Sequence, residues 1–284
     1  MPASDSQQKL RTLVMTRGHP FNRDDFFAMF DAMSTVASCA IEQPACQLFF
    51  EPRHAADYDA FILYDMPGLD FLADDAPQFL EPPEKFRNDF LDLLEIGHGF
   101  VFLHHAIAAW PAWPEYADIV GGKFLYRAGE VRGHCFPDSG YRHEVTHTLT
   151  AQGAHPVLTG LPESFTLTDE LYLSHVFEQD VIPLLRSDYA FRDTNFYSAS
   201  QAVGGSMFSR ENWTHPTGSN LVAWAKHYRN SPIVYLQSGD SKSAYDNPMF
   251  RKLLLNAINW VSSAEARRWA RQRNTRRQSP EPAA

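Results

Sequence analysis

Short apolar runs alternate along the chain with longer amphipathic runs, and this pattern predicts strands and helices in turn. Each apolar run is four or five residues long, as is typical of a buried strand. The predicted strands are residues 12–16, 46–50, 61–64, 99–103 and 233–236. Three helices are predicted: one that begins after Asn22, one at residues 83–95 and one at residues 247–262. Strands that alternate with helices are typical of a parallel sheet covered by helices, so we expect an α/β fold.

The chain of 284 residues is long enough for one large domain, and its 44% hydrophobic content supports a sizeable core. It contains no internal repeat and no low-complexity linker. We therefore expect a disordered segment at residues 1–9, one domain with an elaborated middle section at 10–265, and a basic, proline-ended tail at 266–284. Six arginines surround Trp269, and we interpret this segment as a solvated helix end that frays into the tail.

Composition restricts the partners. A net charge of -9 argues against nucleic acid. The longest apolar stretch without charges, residues 99–113, is shorter than the roughly 20 residues that a membrane helix needs, and the first ten residues lack a signal-peptide pattern. Three cysteines without close spacing suit a reducing compartment. We expect a cytoplasmic protein that binds neither nucleic acid nor membranes, and a homo-oligomer is left open.

Residues 143–147 read HEVTH, the string in which zinc peptidases place two histidines on one helix face. The longer segment HEVTHTLT alternates instead between apolar and polar residues and is rich in threonine, which predicts a strand with His143, Val145, His147 and Leu149 on one face. On a strand the two histidines stand about 13 Å apart and cannot bind one zinc ion. The pattern therefore argues against a zinc peptidase.

Polar residues follow four of the predicted strands. His19, Asp65, Asp240 and the pair His104-His105 stand at or just after strand ends. In an open parallel sheet, ligands bind outside the carboxyl ends of the strands, so we expect these side chains to share a crevice. Imidazole suits proton transfer near neutral pH, and it also suits metal binding.

Two later segments supply further candidates. Trp110 and Trp113 follow the histidine pair, where they either pack against a sugar ring or belong to the core. Asp169, Glu170 and Tyr172 belong to the segment TDELY, which fits either a capped helix start or a general acid or base. No G-x-S-x-G motif occurs, and no cysteine follows a strand at a sharp turn, which argues against acyl transfer.

The chain resembles the ThuA-like, or trehalose-utilisation, family. The matching segments are the Gly18-His19 turn, YDAFILYDMP, GHGFVFLHHAIAAWPAWPEYADIVGGKF, HPVLTGLPESFTLTDELY and GDSKSAYDNPMFRKLLLNAINW. The resemblance implies a flavodoxin-like, doubly wound, mostly parallel sheet similar to class I glutamine amidotransferases, with histidine in place of the cysteine nucleophile. It also implies a role in carbohydrate metabolism and no glutaminase activity. Where family members often have Gly-His-Asp near the last strand, this chain has Gly239-Asp240.

The leading hypothesis is an enzyme that acts on a disaccharide or an oxidised (keto) sugar. The residues expected to move protons are His104, His105 and Glu170; those expected to bind the sugar are His19, Asp65, Trp110, Trp113, Asp169, Tyr172 and Asp240. Two alternatives stay open. One is a noncatalytic sugar-binding or scaffolding protein, and the other is a metal-assisted hydrolase or isomerase that uses His19, His104 and a carboxylate. No cofactor is predicted, but a divalent metal is compatible with the pattern.

Overall fold

The computed structural model describes residues 8–74 and 76–278. In chain order its strands are β1 (Leu10–Arg17), β2 (Val36–Glu42), β3 (Ala60–Asp65), β4 (Leu69–Asp70), β5 (Gln78–Phe79), β6 (Gly99–Leu103), β7 (Gly122–Lys123), β8 (Gly129–Val131), β9 (His134–Phe136), β10 (Gly140–Ala151), β11 (Ser164–Leu173), β12 (His175–Val176), β13 (Ile182–Ser187), β14 (Tyr197–Ser198), β15 (Leu221–Tyr228) and β16 (Ser231–Leu236). Its α-helices are α1 (Arg23–Asp31), α2 (Pro52–Ala55), α3 (Glu84–Ile96), α4 (Pro114–Val120), α5 (Ala199–Val203), α6 (Lys242–Asp246), α7 (Pro248–Ser262) and α8 (Ala264–Gln278).

One half of the central sheet is parallel. Within the described chain, β2, β1, β3, β6 and β16 lie side by side in that order and run in one direction. This is the 2-1-3-4-5 strand order of flavodoxin-like folds. The order reverses between β1 and β3, so β1, β3, β6 and β16 end at the crevice where such folds bind ligands. The predicted fold class is confirmed.

Helices cover both faces of the parallel half. Alternate residues of β3 separate the two cores: Ile62 and Tyr64 pack with α1 and α7, whereas Phe61 and Leu63 pack with α3 and α4. Strands buried on both faces read as continuous apolar runs, which is why β1, β3, β6 and β16 stand out in the sequence. The helices begin near the predicted residues, and Asn247 caps α7 by accepting hydrogen bonds from the backbone N–H groups of Met249 and Phe250.

The other half of the sheet is antiparallel and is built by the middle of the chain. Beyond β16 lie β15, β13, β10 and β11, each antiparallel to its neighbour, and β14 pairs with β10. The elaborated middle section of the prediction is therefore an extension of the central sheet. It places the inner faces of β10 and β11 beside the carboxyl ends of the parallel strands.

The strand predicted at residues 46–50 is wrong. Ala45–Phe50 forms a 3₁₀ helix that buries Cys46 and Phe50, and the second strand is Val36–Glu42. That strand lies at the edge of the sheet and is mostly exposed, so it needs no apolar face and carries no hydrophobic signal. The helix start considered for TDELY is also wrong, because Asp169 and Glu170 lie inside β11.

The strand predicted for HEVTHTLT is confirmed as part of β10, but its alternation fails at one point. The register of β10 against β11 shifts between Arg142 and Val145, and Glu144 has a positive φ of 53°. This β-bulge turns His143 away from the face that Val145 occupies. The two histidines of the motif therefore point to different surroundings, and neither lies on a helix.

The basic segment forms α8 and packs on the same core. Ala266 and Ala270 are fully buried, and the Trp269 ring lies 5.3 Å from that of Trp260. The Arg271 guanidinium donates a hydrogen bond to the backbone carbonyl of Ile96. The arginines that we interpreted as a solvated helix end thus include partners of the core, and the predicted tail beyond residue 278 lies outside the described residues. In the described chain no helix is both long enough and apolar enough to cross a membrane.

Candidate active site

His104 occupies a strained position at the end of β6. It has a positive φ of 50°, which is uncommon for a residue other than glycine and is often found at functional sites. A hydrogen bond from the Tyr235 hydroxyl to the backbone carbonyl of His104 fixes this turn. The strand thus presents one imidazole at the crevice, at the elbow where the resemblance places a histidine.

The His104 ring is fully buried and contacts two carboxylates. Its Nε2 lies 3.0 Å from Oε2 of Glu170 and 3.4 Å from Oδ1 of Asp240. Burial alone would lower the pKa of His104, but the hydrogen bonds and charges of Asp240 and Glu170 raise it well above its ordinary value. Burial alone would raise the pKa of Asp240, but the hydrogen bond and the charge of His104 lower it below its ordinary value. We infer an imidazolium between two carboxylates at neutral pH.

The other ring nitrogen of His104 defines its protonation states. Nδ1 lies 2.6 Å from the carbonyl oxygen of Gln237, which only accepts, so Nδ1 carries a hydrogen in either charge state. Neutral Nε2 would accept a hydrogen bond from the Tyr172 hydroxyl at 2.7 Å, whereas protonated Nε2 donates to Glu170. A single proton at Nε2 is therefore exchanged without movement of the ring.

His105 has the opposite electrostatic environment. Its Nε2 donates to the backbone carbonyl of Tyr64, and its buried Nδ1 has no hydrogen-bond partner in the described part of the chain. Burial, together with the nearby His19 and His104, holds the pKa of His105 well below its ordinary value. The His19 ring stacks on it with centroids 4.6 Å apart. His105 is thus held as a neutral ring beneath His19, and its part in moving protons stays a prediction.

Asp169 fixes the loop that carries Asp240. Its carboxylate accepts hydrogen bonds from the backbone N–H groups of Gly239, Asp240 and Ser241 and from the Ser241 hydroxyl. Asp65 is also buried, and its carboxylate accepts a hydrogen bond of 2.6 Å from Gln43. Burial raises the pKa of each of these two aspartates to about 6. The sequence placed both near the crevice, and both contact protein groups; Asp169 is a positioning residue.

Two adjoining cavities open above the cluster. The first measures about 230 Å³, and its polar lining residues include His19, His143 and Glu170. The second measures about 530 Å³ and is bordered by polar side chains, among them Arg142, Glu144 and Asp240. Both are lined by Glu170 and His143, so the Glu170 carboxylate stands where the cavities meet.

The structure does not bring the two tryptophans to these cavities. Trp110 is buried against Phe86, with ring centroids 5.4 Å apart, and Trp113 packs edge-on against Phe90 at 5.8 Å. Trp110 borders a separate cavity near Gly68. In the described chain the tryptophans belong to the α3 side of the core, which is the packing alternative considered for them.

His143 is a further residue of the site, which the sequence pattern did not predict. Its Nδ1 lies 3.4 Å from Oε1 of Glu170, and its side chain is 37% exposed. The β-bulge at Glu144 aims it into the cavities, and alternation alone predicts the opposite face. A bulge depends on how β10 pairs with β11, so the local alternation of residues does not identify His143.

Three site residues could also hold a metal ion. The ligand atoms of His19, Glu170 and Asp240 all lie within 4.8 Å of one another. Nδ1 of His19 is buried and has no hydrogen-bond partner among the residues that the structure describes. Ligand atoms about 2.1 Å from one metal ion are at most about 4.2 Å apart, so a small closure of these side chains would complete the set.

The fold and the crevice define a flavodoxin-like α/β protein with a histidine at the strand elbow and two carboxylates beside it. The chain matches the family model ThuA, described as trehalose utilisation, over residues 24–261. It therefore belongs to the ThuA family. None of the curated protein sequences matches it.

Solved structures agree with this fold. A ThuA-like protein from Parabacteroides merdae has a TM-score of 0.61 and 17% identity, with 90% of this chain and 91% of that chain covered. A ThuA-like protein from Bacteroides uniformis has a TM-score of 0.59 and 17% identity, covering 92% and 95%. A cytoplasmic protein from Salmonella typhimurium has a TM-score of 0.55 and 9% identity, with 89% of this chain and 100% of that chain covered. Identities this low establish the fold alone.

Proposed function

We propose that this protein is an enzyme that acts on a sugar or an oxidised sugar by acid–base catalysis at His104, Glu170 and Asp240. The observation that carries the proposal is the position of buried His104 Nε2, 3.0 Å from Glu170, which lines both cavities, and 3.4 Å from Asp240, which lines the larger one. The family description, trehalose utilisation, supports a carbohydrate as the substrate.

The chemistry follows from the three groups. Glu170 lines both cavities, so its carboxylate can take a proton from a ligand hydroxyl or from a carbon next to a carbonyl. Asp240 borders the second cavity and can return a proton to the ligand. The His104 imidazolium contacts both carboxylates, so it can give its Nε2 proton to Asp240 and then take the proton that Glu170 removed from the ligand. The site therefore ends each cycle with the protons it began with.

The first experiment is a turnover screen of disaccharides and their keto derivatives by proton NMR. With a substrate in hand, we expect Glu170→Gln to reduce turnover by about 10²- to 10⁴-fold, the usual contribution of a general acid or base. Glu163→Gln, which alters an exposed glutamate close to β11, should leave turnover unchanged. Equal turnover in both variants would refute the acid–base assignment. Thermal stabilisation by a sugar without any product would instead favour a noncatalytic binding protein.

A second function is favoured by the geometry of His19, Glu170 and Asp240. One nitrogen and two carboxylate oxygens suit zinc or manganese, and three protein ligands leave a position open for substrate, as catalytic metal sites do. A bound metal would polarise a substrate oxygen there. The cation would also supply the positive charge beside Glu170 and Asp240 that the His104 imidazolium supplies without a metal.

Elemental analysis of the protein, purified without added metal, separates the two functions. Stoichiometric zinc or manganese that is lost in His19→Ala would favour metal-assisted chemistry. Full activity after chelation and dialysis, with no metal present, would exclude it and leave acid–base catalysis. His134→Ala, at an exposed histidine outside both cavities, is the matched control.

A further inference from the structure

We propose that the substrate of this site is a sugar derivative that carries an apolar group about the size of a phenyl ring, such as an aryl glycoside. This inference rests on the proposed sugar-directed function and adds a second half to the ligand. The apolar group would occupy the smaller cavity, and the sugar would occupy the larger, polar one.

The smaller cavity has walls that suit an apolar group. Its lining includes Met66, Ala108, Phe124, Tyr126, Ala202 and Val203. Its volume is about 230 Å³, whereas an engineered apolar cavity of about 150 Å³ already binds benzene. A phenyl ring therefore fits with room for its attachment to a sugar.

The tyrosines of this cavity present ring faces because their hydroxyls are engaged within the protein. The Tyr126 hydroxyl donates to Sδ of Met66 at 2.7 Å, and the Tyr172 hydroxyl lies 2.7 Å from His104 Nε2. The Tyr141 hydroxyl accepts a hydrogen bond from the backbone N–H of Phe208 at 2.8 Å. A sugar ring placed here could reach His19, His143 and Glu170 but would leave hydroxyls on its other sides without partners, and each such buried group costs roughly tenfold in affinity.

The larger cavity is lined mostly by polar side chains, with the rings of Tyr197 and Phe208 among them. Arg142, Glu144, Asp240 and Ser241 supply donors and acceptors around it, as sugar hydroxyls require. Because Glu170 lines both cavities, the bond between the sugar and its apolar group would lie beside the Glu170 carboxylate.

The mouth of the smaller cavity is apolar as well. Phe71 is 42% exposed and Met207 is 51% exposed; they come from separate loops and both line the cavity. Leu72, next to Phe71 in sequence, is exposed too, and Phe208, next to Met207, is exposed where it lines the larger cavity. Clustered exposed apolar residues of this kind mark ligand-binding grooves on soluble proteins. The entrance thus matches the apolar half of the proposed ligand.

The test is calorimetric titration of the protein with phenyl glycosides of glucose, galactose and mannose, with the methyl glycosides of the same sugars, and with phenol. We expect a phenyl glycoside to bind at least tenfold more tightly than both the corresponding methyl glycoside and phenol. Equal affinities for the phenyl and methyl glycosides would overturn this inference and leave the proposed function standing. Phenol that binds as tightly as every phenyl glycoside would instead contradict the sugar half, and with it the proposed function.

Two matched variants locate the apolar half. Met207→Asp places a charge at the mouth of the cavity, and Leu48→Asp places one at a similarly exposed residue, 57% accessible, that lines neither cavity. We expect Met207→Asp to weaken the phenyl glycoside at least tenfold without changing the methyl glycoside, and Leu48→Asp to change neither. Equal effects of the two variants on the phenyl glycoside would overturn the proposal.

Discussion

The two halves of the central sheet contribute to the site in different ways. The parallel half delivers His19, His104 and Asp240 from loops at strand ends, held by a core that is buried on both faces. The antiparallel half delivers Glu170 and Tyr172 from within a strand, together with one side of the cavity walls. The parallel strand ends thus fix His104 and Asp240, whereas the added strands supply the Glu170 carboxylate and shape the space in which a ligand binds. The same core can therefore serve different ligands when the added half changes.

Trp113→Ala is expected to have the largest effect, and that effect should be on stability and not on ligand binding. Trp113 is 4% exposed and packs among aromatic rings of the core. Its removal should lower the free energy of unfolding by about 3–5 kcal/mol, measured by urea denaturation, without changing ligand affinity. A large loss of sugar affinity at a temperature where the variant is folded would show instead that Trp113 takes part in sugar binding.

Asp240→Asn should have an intermediate effect, because it removes one of the two charges that keep His104 protonated. The pKa of His104 is raised by Asp240 and Glu170, so the imidazolium form persists well above pH 6.5 and is lost as pH rises through that raised pKa. The substitution should lower turnover by about 10²-fold, the low end of the contribution of a general acid, and shift the alkaline limb of the pH–rate profile to lower pH. Asp92→Asn, at an exposed position of α3, should leave the profile in place. If the alkaline limb of Asp240→Asn is not shifted, that limb does not report the deprotonation of His104.

The smallest effect is expected for Tyr172→Phe. This change removes one hydrogen bond to His104 Nε2 and keeps the ring that lines the smaller cavity. A neutral hydrogen bond contributes about 0.5–1.5 kcal/mol, so turnover should fall only a few-fold while affinity for an apolar ligand is unchanged. A loss of turnover as large as that of Glu170→Gln would show that the Tyr172 hydroxyl takes part directly in proton transfer.

The sequence predicted the parallel half better than the antiparallel half for a physical reason. Strands β3 and β6 are buried on both faces and appear as unbroken apolar runs, whereas β2 is an exposed edge strand without such a run. The hydrophobic pattern predicts no strand at β13 or β15, although both lie inside the sheet. Their pairing depends on contacts between distant segments, which local periodicity does not record.

The site shows the same division. The rule that ligands bind at strand ends placed His19, His104 and Asp240 together, because strand direction alone determines where they lie. The rule could not separate His104 from His105, whose opposite pKa shifts arise from which side chain faces the carboxylates. It also could not find His143, which depends on the bulge in β10. Side-chain direction at a turn or a bulge is a tertiary property.

The most direct test of the charged cluster is a pH titration of the histidine ring nitrogens by long-range ¹H–¹⁵N NMR. We expect His104 to be an imidazolium at pH 7, whereas the adjacent His105 is a neutral ring with its hydrogen on Nε2 at the same pH. The Glu170→Gln variant should lower the pH at which His104 loses its proton. A His104 that is already neutral at pH 7 in the unaltered protein would contradict the account of an imidazolium held between Glu170 and Asp240.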